Sequence, residues 1–586
     1  MKLLNLMFVC YCCMSCSDRT IFIGLKDKLS HASSTACWSE IDSAAFYVSP
    51  EGNDANDGTI EAPFLTLERA RTAMRASSVK TTYLRAGEYA RSATFILDSS
   101  DNGQTWKTFP GDPVNSAIID GNGIQDVIDI LGGSHILIEG LLVRDFTSRG
   151  IGVHGGRGWS NAAPYFNVTY GPATHNTIRN NIVEDGNVPS PGWDRAGINT
   201  EGTVPHTRIL NNVIRNTTGY GIGVWSLQTG DDISGTEVRN NVLLNTCITA
   251  RDGAAIYTNE RTLLSDSIFI ENNFIRDYGQ FDNYVRAVYL DDHTSNTTVR
   301  GNVMAGTGRQ PILVHGGYNN IITGNILDIG NTGKLAVLNY AIRGTATMTG
   351  NRFEKNIIIS SYAIDSAGGA YLKTGAVVKP VIQHNLYYNY STGIVNTGGY
   401  HYEMKDSFPV QGDPGLSGWT YTFSPTSFAF QSPVSFPDLL RNWGPPGYTI
   451  PNTGTSPSCL LPGSDAIYRH AESFDDMLGI QHKGMYIGSC DHNDWVKFNQ
   501  VDLKTGYTQF TARFGVTAAN AGKKIQVRLG SPTGTLIAEL TTASTGGYDK
   551  LEEQTTAVTG GTGVHDVYFV FSGGSGIANV DYFKIH

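Results

Sequence analysis

Lysine is missing from the whole stretch 108–333, and charged residues make up only 16% of the 586-residue chain. Lys and Arg together number 43 against 53 Asp plus Glu, a net charge of −10. A chain so poor in cations lacks the basic stripe that nucleic acid requires, which excludes that partner. It also weighs against a polyanionic ligand. Cysteine is scarce where it would matter. Cys10, Cys12, Cys13 and Cys16 crowd the first sixteen residues, leaving Cys37, Cys247, Cys459 and Cys490 for the folded body. That pattern is neither a disulfide framework nor a metal-ligand spacing. Cys459 and Cys490 either pair with each other or remain thiols. No run is long enough to span a bilayer. The short apolar stretch Leu3 to Val9 behind Lys2 reads as a targeting segment.

What is abundant is glycine, 67 residues, and tyrosine, 28. Both suit short strands joined by tight turns. The strands repeat. HNTIRNNIVEDG (175–186), HTRILNNVIRNT (206–217), GTEVRNNVLLNT (235–246), DSIFIENNFIRD (266–277), NTTVRGNVMAGT (296–307) and NNIITGNILDIG (319–330) share one plan. An apolar alternation meets Asn-Asn or Gly-Asn, followed by a second apolar pair. The period of roughly thirty residues and the fixed turn predict a parallel β-helix, with apolar residues stacked inside and Asn in left-handed turn positions. The segment 64–77 carries apolar residues at 65, 67, 70 and 73 and is expected to form a helix capping the solenoid.

Beyond a Pro/Gly/Thr/Ser-rich linker the repeats stop, and the strands DWVKFNQVDL, YTQFTARFGV, KKIQVRLG, HDVYFVFSG and NVDYFKIH predict a β-sandwich. The expected organisation is therefore all-β: a signal over 1–16, a right-handed parallel β-helix catalytic domain over 44–440, a linker over 441–458 and a jelly-roll sandwich over 459–586.

Aligning the strand after each Asn turn turns each position into a ladder. GIGVHG (150–155), GINTEG (197–202), GIGVWS (221–226), AIYTNE (255–260), AVYLDD (287–292), PILVHG (311–316) and AVLNY (336–340), the last set from the second column, place His154, Glu201, Trp225, Asn259, Asp291, His315 and Asn339 in the fifth column. The third column carries Asn199, Tyr257 and Tyr289, and the sixth Glu260, Asp292 and Tyr340. Acids beside aromatics suit sugar, because carboxylates accept from hydroxyls while rings stack on the apolar faces of pyranoses. This face is the candidate active-site groove, and the competing view is a self-satisfying stability stack. Glycoside hydrolysis needs two carboxyls flanking the bond. Asp291 and Asp292 are consecutive, so both face the groove only if the strand ends there. Asp252 lies one coil away.

Several stretches resemble known families. FYVSPEGNDANDGTIEAPFLTL (46–67) is similar to the opening of secreted bacterial right-handed β-helix enzymes. RDGAAIYTNER with AVYLDDHTSNTTVRGN resembles the β-helix glycosidases that include α-fucosidases and xylanases, in which two acids about forty positions apart carry catalysis. That resemblance implies Asp252 with Asp291 or Asp292 as general acid and base of an inverting reaction, with Glu260 and Glu201 in reserve. His154, Asn259 and His315 would then hold hydroxyls, and Trp225, Tyr257 and Tyr289 would stack on sugar. The C-terminal motifs AESF (471–474), NDWVKF (493–498), TGYTQFTARF (505–514), TGGYDKLEE (545–553) and ANVDYF (578–583) resemble family 6 carbohydrate-binding modules. This implies a structural Ca2+ at Glu472, sugar stacking at Tyr548 where the family usually has Trp, and a hydrogen bond from Asn579. No cofactor is implied for catalysis. Cys13-Met14-Ser15-Cys16 resembles a bacterial lipoprotein signal, which implies an exported chain with a lipid anchor at Cys16; secretion after full cleavage is the alternative.

Two other functions compete. A polysaccharide lyase on the same fold would use an Arg, Tyr or His base, drawn from Arg251, Arg261, Tyr257 and His315, with Glu260, Asp291 and Asp292 holding Ca2+. A non-catalytic carbohydrate-binding surface protein would need no ladder of acids.

Overall fold

The computed structural model describes Asp42, 44–450 and 467–585, apart from 157–168, 188–194, 227, 229, 251, 262–266, 280–284, 306–309, 330–336, 361–370, 376–377, 390–403, 413, 415, 418–420, 424–442, 472–473, 475, 483–486 and 504–506. The signal segment, Cys16, Cys459 and Glu472 lie outside these residues, as does Arg251.

The repeats fold as coils of a parallel β-helix. One sheet of twelve strands runs from Phe46–Val48 to Val381–Gln383. A second stack runs through Ile182–Gly186, Val213–Thr217 and Val242–Thr246 to Val410–Gln411, each strand parallel to the next. A third contains Ala196–Gly202, Tyr220–Ser226, Gly253–Glu260, Val285–Asp291 and Gln310–His315. The long strands Ala117–Leu131 and Leu142–Gly155 contribute to both of the latter stacks.

The Asn-Asn motif divides its labour. The first residue takes the left-handed conformation, with φ of 58° at Asn180, 55° at Asn211, 58° at Asn240 and 52° at Asn272. Gly301 and Gly324 take over where the pair becomes Gly-Asn. The second residue turns inward and bonds the next coil. Asn181, Asn212, Asn241, Asn273, Asn302, Asn325, Asn356 and Asn385 form one buried ladder, each amide donating to the next side-chain oxygen at 2.9–3.1 Å. Every such side chain also bonds backbone, so the turn satisfies groups that burial would otherwise strand. The ladder ends on Asp406, whose Oδ2 accepts from Asn385 N, Asn385 Nδ2 and Tyr387 Oη. A carboxylate suits this last rung because it accepts without needing a further coil to donate to.

The helix Leu67–Arg75 is capped by Thr66, whose hydroxyl accepts from Arg69 N. Leu67, Ala70, Ala73 and Met74 face the core; Leu65, expected on that face, is exposed because it precedes the cap. Residues expected to open the linker are instead docked on the β-helix. Trp443 packs on Phe274, and Gly444 N donates to Asn240 O.

The C-terminal sandwich has two antiparallel sheets. One contains Gln509–Val516, Gly547–Ala557 and Asn579–Ile585; the other contains Trp495–Leu503, Lys524–Leu529 and Gly563–Ser572. Their inner faces meet around Phe498, Phe510, Phe569 and Phe583. Cys490 is a buried free thiol here.

Candidate functional site

The third stack carries the expected columns in register. His154 pairs with Glu201, Glu201 with Trp225, Trp225 with Asn259 and Asn259 with Asp291. Asn199, Tyr257 and Tyr289 share the third column as aligned. The last rung differs. Asn339 pairs with Leu313 and so belongs to the third column, while Ala341 stands beside His315. Tyr340, expected to face out, points into the core and donates to Met348 O. The strand is Leu338–Ala341, two residues later than the apolar pattern suggested.

The face is also more enclosed than an open groove. His154, Glu201, Trp225, Tyr257, Asn259, Tyr289, Asp291 and Asp292 are all buried. The aromatic rings pack on one another rather than standing free: Tyr220, Trp225, Tyr257 and Tyr289 form a row with centroids 5.0–6.0 Å apart.

Asp291 is the centre of the site. Tyr257 Oη donates to its Oδ2 at 2.5 Å, His315 Nδ1 lies 2.6 Å from Oδ1, and Asp292 N donates to the same Oδ1 at 2.7 Å. Burial pushes the Asp291 pKa up more than any single partner pulls it down. The bonds from His315 and Tyr257, with the charge of His315 and the Asp292 N–H, together outweigh burial and hold the carboxyl below its usual value. Burial and the Asp291 charge drive the Tyr257 phenol well above its ordinary value, so it stays a donor. Burial, then Asp291 and Asp252, do the same for Tyr289.

The strand does end at Asp291. Asp292 and His293 follow at φ 40° and 76°, which swings Asp292 onto the same side. There its carboxylate receives Arg261 Nε at 2.8 Å, Arg343 Nε at 2.6 Å and Asn259 Nδ2 at 3.2 Å. Oxygens of Asp291 and Asp292 and a nitrogen of His315 lie within 4.8 Å of one another. Two guanidiniums on Asp292 already supply the charge that a bound cation would bring. Glu260, weighed as a catalytic acid, is fully buried and accepts from Ser295 N, a bond that secures the turn after Asp292.

Asp252 is placed differently from the expectation. Gly253 pairs with Val285 and Asn259 with Asp291, so Asp252 lies seven residues, about 23 Å of extended strand, before the level of Asp291. A count of coils does not carry this offset along the strand. Asp252 is the exposed carboxyl of the group, 3.6 Å from Arg286, whose guanidinium lies 5.2 Å from the Tyr289 ring. Tyr289 therefore stands between the two acids.

Glu201 and His154 belong to a second cluster, three and four coils towards the N-terminus. Arg149 grips Asp126 through Nε and Nη2 at 2.9 and 3.0 Å. His154 lies between Asp129, at 3.4 Å, and Glu201, at 3.8 Å. Asp126, Asp129, Arg149, Arg286 and Arg343 were missed from sequence. Asp129 was within reach, since VIDIL (127–131) extends the aligned columns one coil further back. Arg343 follows its strand and had no pattern to reveal it.

In the sandwich, Tyr548 Oη donates to Gly576 O at 2.8 Å and accepts from Asn520 Nδ2 at 2.7 Å. Asn579 Nδ2 donates to Tyr548 O at 3.2 Å, so the two residues singled out by motif stand together.

Residues 470–586 match the family model described as Carbohydrate binding module (family 6). An endo-1,4-beta-xylanase A of Thermoclostridium stercorarium is 36% identical over 103 residues, which is 18% of this chain and 20% of that protein. An arabinoxylan arabinofuranohydrolase of Bacillus subtilis (strain 168) is 40% identical over 102 residues, 17% of this chain and 19% of that protein. The chain thus spans about a fifth of the length of these curated relatives. A family 6 carbohydrate-binding module from Clostridium cellulolyticum, solved in complex with xylose, is 36% identical, covering 20% of this chain and 95% of that one with a TM-score of 0.19. Residues 470–586 of this chain belong to the family 6 carbohydrate-binding modules.

Proposed function

We propose that the chain is a glycoside hydrolase whose β-helix cleaves a neutral polysaccharide while the C-terminal module tethers it to the polymer. The observation that carries the reading is Asp291: a buried carboxylate kept ionised by Tyr257 and His315, on an aromatic-lined face. Such a group is equipped to act as base or nucleophile at an anomeric centre. The proton donor is a different carboxyl, because Asp292 is held by two guanidiniums. Asp252, about 23 Å back along the strand, is too far from Asp291 to flank the same bond, so the reading rests on Asp291 alone. The relatives that share the module are a xylanase and an arabinoxylan arabinofuranohydrolase, so arabinoxylan is the first polymer to test. At the module, Tyr548 offers its ring and Asn579 its amide to the sugar.

The lyase reading fits less well. Tyr257, raised well above its ordinary pKa, is a poor base, and Glu260 and Asp292 are engaged with Ser295, Arg261 and Arg343 rather than open to Ca2+. Export, lipidation at Cys16 and Ca2+ at Glu472 belong to the same proposal, on the sequence resemblances alone. Two substitutions supply the test. Asp291→Asn is expected to abolish cleavage of natural and aryl glycosides alike, because a base or nucleophile is needed whatever the leaving group, while Asp252→Asn is expected to leave both largely intact. Near-normal cleavage of either substrate by Asp291→Asn would remove Asp291 from that role, and a product absorbing near 235 nm would make the chain a lyase.

A further inference from the structure

The cluster around His154 lies on the same face as Asp291 and includes two side chains that burial leaves unpaired. Asn199 is fully buried, and neither its Nδ2 nor its Oδ1 has a hydrogen-bond partner. The Trp225 Nε1 is likewise buried without one. Leaving such groups unpaired is costly, so the arrangement is unfavourable until a polar group arrives to meet them. The two side chains converge. A Cβ added at Gly223 would stand 2.5 Å from Asn199 Oδ1 and 3.0 Å from the Trp225 ring, so glycine there lets both lean to one spot. Gly152 does the same one coil beyond Asn199, beside Asp129 Oδ1 and His154 Nε2.

We propose that His154, Asn199, Glu201 and Trp225, with Asp129 beside them, form a subsite for a neutral sugar unit of the substrate. This rests on the hydrolase reading. Donors and acceptors decide the ligand class. The Trp225 N–H and the Asn199 NH2 need acceptors, while the Asn199 Oδ1 needs a donor. Hydroxyl groups are both at once, whereas a metal ion would leave the donors unmet. Among the described residues, three carboxylates, Asp126, Asp129 and Glu201, stand against one guanidinium, Arg149, and a histidine, a balance that disfavours a uronate. Glu201 and Asp291 are three rungs apart, about 14 Å. The subsite therefore grips the chain several units away from the bond being broken, and it distinguishes long substrates from short ones.

The test measures binding of neutral arabinoxylan oligosaccharides of graded length to the full chain by calorimetry. Tyr548→Ala silences the module, and Trp225→Phe or Asn199→Ala is then added. Trp225→Phe keeps a ring and removes the N–H, which guards against a fold lost in Asn199→Ala. Longer oligosaccharides should bind about tenfold more weakly in each variant, the worth of one hydrogen bond, with disaccharides and the unfolding midpoint unaffected. Loss of binding without any bond cleavage would leave the subsite standing and overturn only the hydrolase reading. Unchanged affinities, no binding by the parent, a preference for uronate oligosaccharides, or a midpoint that falls with the affinity would each overturn the subsite.

Discussion

Replacing Tyr257 with phenylalanine removes one atom and tests how Asp291 is kept ionised. The phenol donates at 2.5 Å to a carboxylate that is otherwise held by His315 and the Asp292 N–H. A hydrogen bond to a charged group contributes about 1.5–3 kcal/mol. Asp291 is buried, so solvent screening does not erode that figure. Converted at 1.36 kcal/mol per unit, the loss moves the acid limb of the kcat/KM profile up by about one to two pH units. The sign is fixed by the direction of the shift. A carboxyl whose folded pKa is depressed stabilises the protein above its unfolded value, and that stability is lost as pH falls through the folded value. Tyr257→Phe should therefore also unfold at a higher pH on acidification than wild type. Kinetics across pH 3–8, with an acid titration followed by circular dichroism, give both readouts. An acid limb that stays in place, or moves down, would refute the claim that Tyr257 holds Asp291 ionised.

Four other substitutions test the same physical picture. Asn241→Ala deletes a rung that bonds Ile209 O, Asn273 Oδ1 and both nitrogens of Asn212; it should cost about 2–5 kcal/mol in urea unfolding, whereas Asn240→Gly, at a left-handed position, should cost little. The stacked rings of His135, His175 and His206 form a second ladder, in which burial, then the charges of His206 and His135, lower the His175 pKa. The unfolded chain then binds protons more readily, so stability should fall as pH drops through about 6.5; His175→Asn should flatten that dependence in thermal melts. Tyr548→Ala should abolish retention on insoluble arabinoxylan while leaving turnover of small aryl glycosides intact.

Much of the solenoid was legible because its rule is local. Asn tolerates the left-handed turn and its amide reaches the next coil, so Asn180-Asn181 and its successors announce both period and fold. The columns from His154 to Asp291 could be read because strands in a solenoid stack in register. The same reasoning failed where spacing along the strand mattered. Asp252 is one coil from Asp291 but most of a strand away, and an alignment of columns does not carry that length. Asn339 slipped because its strand begins two residues later than its apolar pattern suggests. Burial was beyond reach. Whether Trp225 meets solvent depends on what covers the face, and the packing of Tyr220, Tyr257 and Tyr289 against each other leaves no periodic trace. The arginines that hold Asp292 come from Arg261 and Arg343, at the ends of different strands, and only the folded coil brings them together.

The most direct test is release of new reducing ends from arabinoxylan and related neutral polysaccharides by wild type and Asp291→Asn, with absorbance at 235 nm followed in parallel. The account predicts reducing ends without the 235 nm product, a loss of about a hundredfold to ten-thousandfold in the variant, and an unfolded fraction no greater than in wild type under assay conditions. Near-normal turnover by Asp291→Asn, or an unsaturated product from wild type, would contradict it.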